Sequence, residues 1–183
     1  MISFTVLVYI KVINIFLYQL SGPEQLKKST LIATRKTLPR GWSLSVTINP
    51  YGTVDGWSNI LHATIGKNGE RYGDRTPGIW FLSKTTKLHI CSAVNGNRNY
   101  CFNSHAIPLH KNSLIRIEQS QSKENHQYYY QIFINGKRVC NILNKNPQSF
   151  NNVKYYASDP WHHPAHATIS NFKLTVFKHK GKY

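Results

Sequence analysis

The chain has 183 residues, and its 23 Lys and Arg against 7 Asp and Glu give a formal net charge of +16. This length favours a single domain with a sizeable core, and the sequence contains no internal repeat and no low-complexity segment. A strongly basic surface attracts polyanions such as nucleic acid, acidic glycans or anionic lipid. The basic residues are dispersed, however, so a solvated basic surface explains them equally well.

The first segment, residues 2–20, reads "ISFTVLVYIKVINIFLYQL" and precedes a polar stretch. This pattern predicts a secretory signal peptide or signal-anchor over residues 1–22. Lys11 and Asn14 interrupt the apolar run, and no small-residue cleavage site lies near Gly22. The alternatives are a buried strand or an upstream fragment of a longer chain. A transmembrane helix is disfavoured by the lysine in mid-span.

After this segment, apolar residues recur at every second position, which is typical of half-buried strands. The clearest faces are Trp42, Leu44, Val46 and Ile48; Leu61, Ala63 and Ile65; Leu88 and Ile90; Ile115 and Ile117; and Tyr128, Tyr130, Ile132 and Ile134. Asn135-Gly136 predicts a two-residue hairpin turn, because both positions need positive φ. A change of parity between Ile169 and Phe172 predicts a bulge or a switch between sheets.

About ten short strands separated by turn signals predict an all-β fold, a two-sheet antiparallel jelly-roll sandwich. We expect this sandwich over residues 38–178, with the N-terminal segment outside it. Residues 23–37 are polar and basic, and we interpret them as a linker with an edge strand. Residues 179–183 form a basic tail.

The three cysteines are Cys91, Cys101 and Cys140. If Asn95-Gly96-Asn97 forms a three-residue hairpin loop, Val94 faces Arg98 and Cys91 lies opposite Cys101. A cross-strand disulfide is then geometrically allowed, and secretion would permit it. The alternative is three reduced, buried thiols. Without a C-x-x-C pair, a zinc site built on thiolates is disfavoured.

The order of these segments along the chain is similar to that of a known family. It runs through "LPRGWSLSVTINP", "GWSNILHATIG", "PGIWF", "KLHI", "IPLHKNSLIRIEQ", "YYYQIFINGKRV", "FNNVKYYASDPW" and "ATISNFKL". The sequence resembles the laminin-G-like branch of the concanavalin A-like lectin/glucanase superfamily over residues 38–178. The phrases "YGDR" and "YASDPW" are similar to secreted invertebrate matrix-type proteins of that fold. The resemblance implies a recognition domain with loops at the sandwich ends for binding.

Enzymes of that superfamily which cleave glycans use two carboxylates on one strand face, one as acid and one as nucleophile. The acidic residues here are Glu24, Asp55, Glu70, Asp74, Glu118, Glu124 and Asp159. Only Glu70 and Asp74 are close in sequence, and they lie in the loop "GKNGERYGDRTPG" rather than on a strand. We therefore expect no catalytic activity.

Calcium is the metal that the resemblance suggests, since laminin-G-like domains often hold this ion at the sandwich rim. Candidate oxygen ligands are Asp74 and Asp159, with Asp55 and Asn59 in a nearby loop. Arg71 and Arg75 flank Asp74 and would repel a cation. A salt bridge or turn cap explains Asp74 equally well. The histidines of "SDPWHHPAH" are poorly placed to converge on zinc.

The loop "SDPWHHPAH", residues 158–166, is the best candidate site. Asp159 either caps the turn or supplies a hydrogen bond to a partner, together with His162 and His163. Trp161 either plugs the sandwich end, which we favour, or offers a flat face to a sugar. The full set of candidate ligand-binding residues is Asp159, Trp161, His162, His163, Arg71, Asp74, Arg75, Trp57 and Asn59.

Together these features predict a non-enzymatic, secreted or cell-surface recognition module that binds glycans or extracellular-matrix proteins. Polyanion binding through the basic surface is the alternative. A nucleic-acid-binding protein is the rival of another class, because the charge permits it and "QYYYQ" could stack bases. The sequence contains no RNP-like, zinc-finger or helix-turn-helix pattern, so no specific nucleic-acid partner is expected.

Overall fold

The computed structural model describes residues 14–20 and 22–177. These residues form strands β1 (Asn14–Leu20), β2 (Glu24–Gln25), β3 (Leu31–Leu38), β4 (Trp42–Pro50), β5 (Ser58–Thr64), β6 (Gly78–Phe81), β7 (Lys87–Val94), β8 (Asn97–Ala106), β9 (Ser113–Gln121), β10 (Tyr128–Ile134), β11 (Lys137–Asn144), β12 (Phe150–Tyr156), β13 (His163–Pro164) and β14 (Ala167–Phe177). Within the described ranges, no helix is long and apolar enough to cross a membrane.

The strands form two sheets that pack face to face. Sheet A has the order β1-β14-β4-β9-β10-β11, with β2 also paired to β14. Sheet B has the order β3-β12-β5-β6-β7-β8, with β13 also paired to β5. The long strands pair antiparallel, and only the short β13 runs parallel to its partner among the strands described. The predicted all-β jelly-roll sandwich is confirmed.

The core lies between the sheets and is filled by the alternating faces that the sequence indicated. Trp42, Leu44 and Ile48 of β4 are buried there. Along β14, Ile169 and Phe172 are both buried, although they are three positions apart. The register shifts between Ser170 and Lys173, and Asn171 in between has a φ of 51°. The predicted bulge is therefore present, and it returns the strand to its inward-facing parity.

The two asparagine-glycine turns behave alike. Asn135 and Gly136 have positive φ and join β10 to β11 in a two-residue turn, as predicted. Asn95 and Gly96 also have positive φ, and Val94 pairs with Asn97. The predicted three-residue loop, with Val94 opposite Arg98, is therefore wrong.

A bulge beyond the second turn corrects the register, and Cys91 still pairs with Cys101. The two sulfurs form a disulfide between β7 and β8, as the hairpin predicted. Cys140 is a buried free thiol. The hairpin therefore has a different turn from the one inferred, yet the same cysteines meet across it.

The N-terminal region differs from expectation in one respect. Residues 14–20, which the sequence assigned to a leader outside the sandwich, form β1 and pair with β14. Residues 23–37 contain β2 and most of β3, and β3 is an edge strand of sheet B, in agreement with the interpretation of that interval. The remainder of the leader and the basic tail, residues 1–13, 21 and 178–183, fall outside the described residues.

Candidate functional site

Most of the predicted site residues meet on the outer face of sheet B, over strand β5. Three loops converge there: residues 51–57, 65–77 and 157–162. Every residue of β5 is buried, although a strand in a two-sheet sandwich normally buries only one face. The second face of β5 is therefore covered by the loops, which build a second packed layer outside the main core.

Trp80 of β6 is the centre of this second layer. Its side chain is almost fully buried, and its ring lies against Gly78, where an added Cβ would approach the ring to 2.0 Å. The Arg75 guanidinium lies over the ring, 4.8 Å from its centroid. His62 and His162 contact the ring edge-on, at centroid distances of 5.2 and 5.5 Å.

Asp159 is fully buried within this layer and accepts hydrogen bonds from N–H donors. Its Oδ1 accepts the backbone N–H groups of Trp161 at 2.9 Å and His162 at 2.8 Å. Its Oδ2 accepts from Nδ1 of His62 at 2.8 Å and Nδ1 of His162 at 2.9 Å. Burial alone would raise the pKa of Asp159, but the hydrogen bonds from the two histidines outweigh burial and hold the pKa well below its usual range.

The chemistry of Asp159 explains why its loop carries one of the few acidic residues in the chain. The carboxylate caps the turn at 159–162 and anchors that turn to His62 of β5. Its backbone N–H also donates to Oδ1 of Asn59, at 2.7 Å. Because protein donors already occupy the carboxylate, a ligand could reach it only by displacing them. Asp159 positions the loop and is not presented to solvent.

His62 joins two of the loops through its ring. Nδ1 donates to Asp159, and Nε2 lies 2.7 Å from the backbone carbonyl oxygen of Asp74. Both neighbours are hydrogen-bond acceptors, and the side chains of His62 and Asp159 are both fully buried. Loops separated by more than eighty residues are held together through this one side chain.

Asp74 caps its own loop. Its carboxylate accepts the backbone N–H of Arg71 at 2.6 Å and that of Lys67 at 3.3 Å, and the residue is fully buried. Arg71 therefore contributes to the site through its backbone. The oxygens considered as calcium ligands on Asp74 and Asp159 accept N–H donors instead, and an ion would have to replace those hydrogen bonds.

The solvent-facing edge of the layer is aromatic. We call Trp57, His89, His162 and Trp161, together with the buried Trp80 that the two histidines contact, the aromatic platform. Trp57 is 46% exposed and Trp161 is 40% exposed. The Trp57 ring meets the His89 ring edge-on at 4.4 Å, and the Trp161 ring meets the His62 ring edge-on at 5.4 Å. The prediction that Trp161 is a buried plug is wrong, because its side chain is 40% exposed.

A polar rim borders the platform. Arg75 donates from Nε to the carbonyl oxygen of Asn68 and from Nη1 to Oδ1 of Asn99. His89 donates from Nδ1 to Oδ1 of Asn103 at 2.6 Å. Burial lowers the pKa of His89, and the positive charge of Arg75 lowers it further, although the hydrogen bond to Asn103 acts in the opposite direction. His89 is therefore a neutral, half-buried imidazole at neutral pH.

His163 lies apart from the platform. It lines an open groove of about 470 Å³ at the end of the sandwich, bordered by Gln25, Leu26, Tyr51, Val54, Asp55, His163, Pro164, Ala165 and His166. The rings of Tyr51 and His166 stack there at 5.8 Å. Among the described residues, His162, His163 and His166 do not form a metal-ligating group.

Sequence reasoning missed His62, Trp80 and His89, which hold the layer together. Trp80 follows Gly78 by two positions, the spacing that brings a ring over a glycine on one strand face. That local signal was present in "PGIWF". Nothing local marked His62 or His89, because their partners come from distant loops.

The sequence matches no protein-family model and no curated protein sequence. The fold is shared with solved structures. A heptameric SAP-like pentraxin from Limulus polyphemus superposes with a TM-score of 0.55 at 12% identity, over 85% of this chain and 73% of the pentraxin. Domain 4 of an extracellular arabinanase from Geobacillus stearothermophilus, solved with arabinotriose, gives 0.52 at 12% identity, over 80% of this chain and 66% of that domain.

Botulinum neurotoxin type C is a third similar structure, with a TM-score of 0.54 at 13% identity, over 91% of this chain and 44% of the toxin chain. The similarity to these three structures is a similarity of fold. The chain shares a two-sheet jelly-roll sandwich with these structures.

Proposed function

We propose that the protein is a non-enzymatic recognition module that binds a glycan on the aromatic platform. One observation carries the proposal: two half-exposed tryptophans, Trp57 and Trp161, stand on a rigid layer of buried rings and charged groups. Flat aromatic faces pack against the C–H faces of sugar rings, and nearby polar groups then fix orientation. His89, His162 and the Asn99–Arg75 pair supply such groups.

The solved structures support the same class of ligand. The arabinanase domain was solved with arabinotriose, and the neurotoxin's cell entry is described as dependent upon interaction with two ganglioside molecules. Both of these molecules contain carbohydrate. The identities are too low to carry over a binding residue, so the location of the site here depends on the platform alone.

The absence of catalysis is part of the proposal. Glu70 is exposed and pairs with Lys67 at 3.1 Å, while Asp74 is buried in its turn. This pair does not share a strand face as the carboxylates of a glycosidase do. Turnover on a broad set of β-glucans and galactans measures this directly. Hydrolysis that Glu70→Ala abolishes would contradict the proposal.

We further propose that the module is secreted or displayed at the cell surface, as a laminin-G-like domain of matrix type. The Cys91–Cys101 disulfide supports an oxidising compartment. Matrix proteins and polyanions remain alternative partners, and the net charge of +16 is the observation that favours a polyanion.

A glycan array, run with and without EDTA, is the first experiment. Titration of a retained glycan then compares Trp57→Ala and Trp161→Ala with Leu114→Ala, whose side chain is equally exposed but lies on sheet A. We expect each tryptophan variant to weaken binding about tenfold or more, because truncating an aromatic contact at the centre of a site commonly costs over 1 kcal/mol. The Leu114 variant should bind as the wild type.

Two outcomes would overturn the proposal. One is unchanged glycan affinity in both tryptophan variants. The other is specific protection of a nucleic acid at physiological salt with no glycan retained, which would favour the nucleic-acid alternative. Loss of binding with EDTA would add calcium to the site.

A further inference from the structure

Four side chains form a two-by-two grid on the outer face of β7 and β8. His89 pairs across the strands with Asn103, and Cys91 pairs with Cys101. His89 and Cys91 are two positions apart on one strand, so their side chains emerge on the same face. β8 is the edge strand of sheet B, which leaves one side of the grid open to solvent.

The hydrogen bond to Asn103 sets the tautomer of the His89 ring. Nδ1 carries the hydrogen, because Oδ1 of Asn103 accepts it at 2.6 Å. Nε2 of the neutral ring therefore has the lone pair, and it lies 2.9 Å from Sγ of Cys91. A disulfide sulfur has no hydrogen to donate, so the Nε2 lone pair has no donor there while the bridge is intact.

Three potential metal ligands meet at this point. His89 Nε2, Cys91 Sγ and Cys101 Sγ all lie within 4.8 Å of one another. Zinc binds thiolate sulfur at about 2.3 Å and imidazole nitrogen at about 2.0–2.1 Å. The two sulfurs are bonded to each other here, so they can flank one ion only after that bond is broken and they move apart. A metal-ligating histidine also typically donates its other N–H to a fixed acceptor, as His89 does to Asn103.

We propose that the reduced protein binds a zinc-type divalent ion through Cys91 Sγ, Cys101 Sγ and His89 Nε2, at a site that the Cys91–Cys101 disulfide closes. Disulfide and metal are mutually exclusive occupants, because the bridged sulfurs are not thiolates. Two thiolates also supply the negative charge that offsets the nearby Arg75 guanidinium. This inference is independent of the glycan proposal.

Opening the site requires a dithiol reductant, which supplies two electrons. Cys101 is the more exposed sulfur, so the reductant's thiolate attacks it and Cys91 leaves as a thiolate. The second thiol of the reductant then displaces Cys101 and closes its own disulfide. Both protein thiolates take up protons in the absence of metal, and both protons are released when the ion binds.

The test uses the full chain, reduced under anaerobic conditions, and Zn²⁺ and Co²⁺ as probes. We expect one equivalent of ion in the reduced protein, measured by competition with a chromogenic chelator, and a thiolate-to-cobalt charge-transfer absorption. The oxidised protein should show neither. Far-UV circular dichroism recorded on the same samples reports whether the reduced chain keeps its sheets.

Variants separate this site from other thiols and histidines. Cys101→Ser and His89→Ala should abolish the cobalt absorption or shift it strongly, and Asn103→Ala should weaken binding about 10- to 100-fold, as loss of an outer-shell partner usually does. Cys140→Ala and His163→Ala are the matched controls and should bind as the wild type.

The proposal is overturned if the oxidised chain binds the ion equally well, or if His89→Ala leaves affinity unchanged. It is also overturned if the reduced chain loses its sheet signal and binds no ion. Binding that Cys140→Ala removes would place the thiolate contact elsewhere and would equally contradict it.

Discussion

The outer faces of the two sheets differ sharply. On sheet A, burial alternates along β9: Ile115 and Ile117 face the core, whereas Leu114 is 46% exposed. Arg116 lies over the Phe133 ring there, 3.7 Å from its centroid, and both remain partly exposed. On sheet B, every residue of β5 is buried, because loops 65–77 and 157–162, two of the three loops that converge there, contact its outward-facing side chains.

This difference shows that an outward-facing residue on a sheet is exposed only where no loop covers it. Sheet A has the ordinary surface of a sandwich, with polar and charged side chains in water. Sheet B has a second packed layer, in which Trp80 and the His62–Asp159 pair are buried as deeply as the main core. The platform tryptophans stand on this layer, and it gives them the rigidity that a binding surface needs.

The largest expected effect comes from removing the centre of the second layer. Trp80→Ala should destabilise the protein by about 3–5 kcal/mol, as truncation of a fully buried aromatic does. Phe133 is the matching aromatic residue on the outer face of sheet A. Phe133→Ala should reduce stability by about 1 kcal/mol, mainly through the loss of the contact between this ring and Arg116. Urea unfolding of both variants measures the difference. Equal costs would mean that the loops over sheet B add no packing.

Asp159→Asn should have the next largest effect. The variant keeps the shape of the side chain but loses charge-assisted hydrogen bonds to His62 and His162, which we expect to cost about 1.5–3 kcal/mol. The control is Glu118→Gln on sheet A. Because its partner Arg116 is partly exposed, we expect this variant to lose about 1 kcal/mol of stability or less. If thermal melts showed Asp159→Asn to be as stable as the wild type, the anchoring role would be excluded.

The pH dependence should follow from the lowered pKa of Asp159. An unfolded carboxyl titrates near pH 4, so below that value the unfolded chain binds a proton that the folded chain does not. The stability that Asp159 contributes is therefore present above about pH 4 and is lost as the pH falls toward the folded pKa. The gap in unfolding free energy between wild type and Asp159→Asn should narrow below about pH 4. A constant gap down to about pH 2 would contradict the lowered pKa.

The smallest effect is expected on the uncovered face. Leu114→Ser should change stability by less than about 0.5 kcal/mol, because the side chain is already in contact with water. The measurement is a denaturant titration beside the wild type. A loss above about 1 kcal/mol would show that something covers this part of sheet A.

Much of the fold was predictable from local patterns. The alternation of Trp42, Leu44 and Ile48 predicts the inward face of β4, and Asn135-Gly136 predicts its hairpin, because both signals concern residues a few positions apart. The Cys91–Cys101 pairing followed from the same kind of reasoning, even though the turn was one residue shorter than expected. Local patterns did not decide the structure of residues 14–20, because an apolar run fits a leader and a strand equally well.

Sequence alone therefore determined the class of fold, the inward faces and the loop in which Asp159 lies. Only the tertiary structure decided what that loop does. Asp159 meets His62 across 97 positions of chain, and Trp80 rather than Trp161 is buried in the layer. The physical reason is that periodicity reports which face of a strand points inward, whereas the covering of its outer face depends on the path that distant loops take in three dimensions.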